Sequence, residues 1–135
     1  MSVRVGLVFV GAVQGVIGVW QLLAPRSFFE DFPLSEHPWV ALLGPYNQHL
    51  VVDVGAFNLA MALLLGWAAV VLQRQLTLAA LASGLVFGAL HLGFHATHLE
   101  HFPTADAVSQ TVGLVAWLLL LAGLFRLACV RLSGH

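Results

Sequence analysis

Seven histidines and six acidic residues punctuate an otherwise apolar chain, and several of them fall at helical spacing. In LTLAALASGLVFGALHLGFHATHLEHF, the residues Gly84, Gly88, His91, His95 and His98 are spaced four, three, four and three apart, which sets them on one face of a helix. His101 continues the series slightly off that axis. In PYNQHLVVDVGAFNLAMA, His49 and Asp53 stand one helical turn apart, on a face that continues through Ala56 and Ala60. Neutral imidazoles and a carboxylate are good ligands for zinc, iron or copper, and residues four apart on a helix can chelate one ion. These residues predict a mononuclear transition-metal site with His49, Asp53, His95 and His98 as ligands and His91 as the alternative. Three protein ligands and a water make a catalytic centre of redox or hydrolytic type, whereas four protein ligands make a structural one. Glu100, Asp106 and Gln110 then serve as residues that orient the ligands or relay protons.

Other chemistries compete for the same side chains. A hydrogen-bonded polar knot can fix helix register without any ligand, as in a non-catalytic accessory or assembly subunit whose Gly84 and Gly88 face binds a partner. Two axial histidines on facing helices can hold haem, but that explains only two of the set. A ladder of His91, His95, His98 and His101 can pass protons, since imidazole titrates near neutral pH. Against a continuous path, the opposite half of every helix offers few protonatable groups.

The elements that must position these residues follow from composition. The chain has 135 residues, 60% hydrophobic and only 8% charged, with a mean hydropathy of +0.94, whereas a soluble domain is about 25% charged. A hydrocarbon layer about 30 Å thick takes about 20 apolar residues per helix, so the length holds four spans and short connections in one domain, 1–135. The spans are expected at about 4–24, 47–72, 76–99 and 105–127. With long apolar runs and no alternation of period two, a β-barrel is excluded and the expected fold class is all-α, an integral membrane antiparallel four-helix bundle.

Span one adds a seam of Gly11, Gln14, Gly18 and Gln21, and span four one of Asp106, Gln110, Gly113 and Trp117. Four seams of this kind predict one buried polar chamber toward the outer side. Counting about 1.5 Å per residue from the helix ends places His49 level with His95 or His98, and Asp53 level with His91 or His95. Asp106 falls near the rim beside His98 and His101, and Gln21 joins from span one.

Arg4, Arg74, Arg126 and Arg131 fall on one side of the spans and only Arg26 on the other, so the positive-inside rule makes both termini cytoplasmic. The connection PRSFFEDFPLSEHPWVALLGPYN, with Phe28, Phe29, Phe32, Trp39 and Tyr46, is expected as an amphipathic segment in the headgroup zone, a lid over the bundle mouth. The first apolar run is too long for a signal peptide and lacks a small-x-small cleavage site, so it reads as a retained span. There is no lysine and no basic patch, which argues against nucleic acid as a partner. The expected partners are the lipid bilayer and a homo-oligomer or membrane complex. The lone Cys129 excludes an intramolecular disulfide and a multi-thiolate metal site and reads as inert. Asn47 is a candidate helix cap after Pro45. Asn58 lies off the His49 and Asp53 face, where it can bond a neighbouring helix. His37 and His135 are expected to be solvated.

The segment with Gly15, Gly18 and Trp20, followed by Pro25, Phe28 and Phe29, resembles the DoxX-like group of small bacterial four-helix membrane proteins in topology and hydropathy outline. That resemblance implies a bacterial inner-membrane location and a tie to membrane redox processes.

Overall fold

The computed structural model describes residues 2–132; His135, expected to be solvated, lies outside them. Four helices long and apolar enough to cross a membrane make up most of the fold. They are α1 (Val3–Leu23), α3 (Gln48–Val71), α4 (Arg74–Ala96) and α5 (Thr104–Arg131), with a short α2 (Pro25–Asp31) after the first. The caps are legible one by one. Ser2 accepts a hydrogen bond from the Val5 amide at 3.2 Å, and Asn47 accepts one from the Leu50 amide at 3.2 Å, the capping role expected of it. Leu72, with φ of 53°, ends α3 in the left-handed region, and α4 begins two residues later.

Two boundaries differ from expectation by more than two residues, and one of them matters. Helix α5 runs on to Arg131, four residues past 127. Helix α4 stops at Ala96 instead of 99 because side chains take over its last carbonyls. The Thr97 hydroxyl donates to the Phe94 carbonyl at 2.9 Å, and His98 Nδ1 lies 2.8 Å from the same oxygen. His98 therefore stands beyond the helix and leaves the face that its spacing implied.

Helix packing follows the small residues. A methyl group added at Gly18 of α1 would lie 2.9 Å from the Gly55 carbonyl oxygen and the Leu59 amide of α3, so the two backbones touch there. Gly11 meets α3 near Ala62 and Leu65, which makes the pair antiparallel. Helices α4 and α5 form a second antiparallel pair, with Gly84 against Leu121 and Gly88 against Leu118, so the small-residue face expected to bind a partner is taken up by α5 of the same chain. Leu7, Val10, Leu65, Leu81, Leu121 and Leu124 fill the core between the pairs. Large apolar side chains such as Val16, Leu63 and Leu90 point outward.

The connection between α1 and α3 is more built than an amphipathic segment. After α2 it forms a two-stranded antiparallel hairpin, β1 (Pro33–Leu34) and β2 (His37–Pro38), then a 3-10 turn at Ala41–Leu43. Trp20, Phe28, Phe32 and Trp39 form a chain of ring contacts 4.8 to 6.4 Å apart that folds it back over the end of α1. Trp20 Nε1 donates to the Ser27 hydroxyl, which in turn donates to Asp31, and these bonds fix the turn into α2.

Candidate functional site

Two sets of polar side chains occupy the end of the molecule where α1 leads into α2, and they face different ways. The inner set centres on His95, in the last turn of α4 and buried. Its ring meets His91 edge-on at 4.5 Å, packs against Phe102 at 6.2 Å and adjoins the side chain of Gln110. Gln110 is 2% exposed. One turn nearer the start of α5, buried Asp106 places Oδ1 2.8 Å from His37 Nδ1. His37 is therefore not simply solvated. It anchors the hairpin onto the first turn of α5 and takes the contact expected for His98 and His101. Among the described residues, His95 Nδ1, both amide atoms of Gln110 and Trp39 Nε1 are buried without a hydrogen-bond partner from the protein.

The outer set is His49, Asp53 and His91, all exposed. His49 Nε2 lies 3.3 Å from Asp53 Oδ2, with side-chain exposures of 87% and 60%. The His91 ring stacks on Phe87 at 5.5 Å, and its nitrogens make no hydrogen bond among the described residues.

The α3–α4 register can be read from one contact, Phe57 against Phe87 at 4.9 Å between centroids. Four residues farther out on each helix, Asp53 comes level with His91, and four more bring His49 level with His95. The levels agree with the sequence, but the facing does not. His95 turns toward α5, while His49 and Asp53 turn away from the bundle.

The expected ligand set is therefore not assembled. His91 and His95 come together, His49 pairs with Asp53 on its own helix, and His98 folds back to stack on Phe94 at 4.1 Å. Among the described residues no three His, Cys, Asp or Glu side chains converge as a metal-ion site. Of the residues expected to orient ligands, Gln110 and Asp106 belong to the inner set. Glu100 is exposed beside His101 at 3.5 Å.

One polar contact was legible only in part. Asn58 Nδ2 donates to Gln21 Oε1 at 2.7 Å, with both residues buried. Asn58 does bond a neighbouring helix, but Gln21 is drawn to that contact instead of a chamber with histidines. The signal was a Gly-x-x-polar step in both helices, Gly18 to Gln21 and Gly55 to Asn58. A glycine that lets two backbones touch brings the polar side chain one turn on into reach. Compared with protein-family models, curated proteins and solved structures, the chain matches none.

Proposed function

We propose that the chain is a four-span integral membrane protein with both termini cytoplasmic, acting as a non-catalytic accessory or assembly subunit. The observation that carries this reading is the division of the polar residues into two sets. Gln21 with Asn58 and Asp106 with His37 serve cohesion within the chain, and His95 with Gln110 fills the interior between α4 and α5. His49, Asp53 and His91 are held on the outside, among apolar side chains, where a lipid-facing position is costly and a contact with another helix relieves the cost. A subunit that packs through one polar set and docks through the other needs no reaction centre.

Elemental analysis of the purified protein, together with its thermal stability before and after chelation, tests the reading. The expected result is substoichiometric metal and an unchanged melting temperature. A stoichiometric transition metal that is lost in both His95→Ala and Asp53→Asn would overturn it in favour of a metalloenzyme. Retention in the membrane fraction after an alkaline wash tests the spans themselves.

A further inference from the structure

We propose that the outer end of the α3–α4 face is where two copies of this chain associate, with Asp53 of each copy meeting His91 of the other; this rests on the membrane-subunit reading above. The argument begins with depth. Asp53 is the sixth residue of α3, and His91 stands the same distance from the end of α4, about 7.5 Å along each axis. The Phe57–Phe87 contact fixes the two helices in this register. Both side chains are exposed, and their surroundings are apolar: Leu50 is 60% exposed, Leu90 72% and Phe94 49%.

Neither group is satisfied at home. Among the described residues Asp53 meets only the still more exposed His49, and the His91 nitrogens have no hydrogen-bond partner. Helices in lipid associate through packing of small residues and hydrogen bonds between polar ones. This face carries the polar pair and, inward of it, a groove in which the small Ala82 and Ser83 lie among Phe57, Val86, Phe87 and Leu90.

Symmetry then selects the occupant. A two-fold axis along the membrane normal leaves every residue at its own depth and sets α3 of one copy opposite α4 of the other. A two-fold interface must be self-complementary. A face with a carboxylate on one helix and an imidazole at the same level on the next meets that condition, since each Asp53 finds the partner's His91 and two equivalent contacts form. A face carrying only acids or only imidazoles would need a different protein of opposite charge.

The experiment uses the full chain in liposomes, with single-molecule photobleaching at increasing protein-to-lipid ratio. The expected result is a dimer, with Asp53→Leu and His91→Leu each weakening association by about tenfold, as loss of polar contacts across two equivalent interfaces implies. The exchanged pair, Asp53→His with His91→Asp, restores the dimer, and Leu119→Ala on exposed α5 leaves it unchanged. A second measurement does not depend on how the Leu variants fold. In a Cys129→Ser background, a chain with Asp53→Cys is co-expressed with a differently tagged chain carrying His91→Cys. Oxidation is expected to join the two tags, while the other Asp53–His91 contact of the same dimer stays intact. A chain retained after the alkaline wash but monomeric at every density overturns the proposal, as does a dimer indifferent to both Leu variants, failure of the exchanged pair, or absence of the cross-link. A chain washed out of the membrane instead overturns the membrane reading beneath it.

Discussion

The bond between Asn58 and Gln21 is the sharpest test of how α1 and α3 hold together. At 2.7 Å, with exposures of 5% and 4%, it is a short contact with little access to solvent. Replacing Asn58 by Leu or Gln21 by Met keeps the side-chain shape and deletes one partner, leaving the other buried and unbonded. In a soluble core that orphan costs about 1–3 kcal/mol. In a membrane the unfolded chain also finds partners, and interhelical hydrogen bonds average about 0.6 kcal/mol with a ceiling near 1.7. Each single variant is therefore expected to lose about 1 kcal/mol, near the lower end of the first range. The double variant removes the orphan along with the bond, so its loss is no larger than that of either single. The assay is reversible unfolding by sodium dodecyl sulfate in mixed micelles, followed by tryptophan fluorescence. Independent sites add within about 0.5 kcal/mol, so a double variant that loses the sum of the singles, about 2 kcal/mol, would refute the reasoning.

Two more outcomes follow from the geometry. Gly18→Ala puts a methyl group 2.9 Å from backbone atoms of Gly55 and Leu59, which cannot rotate aside. Overpacking of about 1–3 kcal/mol then outweighs the helix-propensity gain of about 1. At Gly66 a methyl group meets nothing within 4 Å among the described residues, so Gly66→Ala is expected to be neutral or stabilising by up to about 1 kcal/mol. The same micelle titration checks both, and equal effects at the two glycines would contradict the assigned α1–α3 contact. His37→Ala removes the hairpin's hold on Asp106, a contact between a half-exposed imidazole and a buried carboxylate worth about 1 kcal/mol. The Trp39 amide, bonded to the Phe32 and His37 carbonyls, should then exchange up to about fivefold faster by hydrogen–deuterium exchange; unchanged exchange there would mean the hairpin is held by its aromatic rings alone.

The four long helices were legible because each is an apolar run about as long as a bilayer is thick, and their caps were legible where a residue such as Asn47 follows a proline break. The end of α4 was not. Extrapolating a period assumes that the helix continues, and the spacing from His91 to His98 gives no warning that Thr97 and His98 bind back to Phe94 and Gly93 carbonyls and stop it. The fold of the connection was missed for a related reason. Its aromatic residues suit a headgroup zone, but Phe28 and Trp20 are spent on each other, and His37 reaches a helix that begins nearly seventy residues later. Local patterning carries no information about such a contact.

For the polar residues, depth and direction separate. Depth is a count along a rigid rise, and the Phe57–Phe87 contact reproduces the expected levels of Asp53 with His91 and of His49 with His95. Direction depends on how far each helix is rotated about its own axis, and that is set by whichever face packs most tightly. For α3 the decisive face is Gly55 with Asn58, which lies hard against Gly18 and Gln21 of α1. Asp53 and His49 cannot share that face, so close α1–α3 packing turns them outward. For α4 the decisive face is Gly84 with Gly88, against Leu121 and Leu118, and it carries His95 inward with it while His91 is left at the edge. Two glycine contacts thus sort one apparent cluster into an interior half and a surface half.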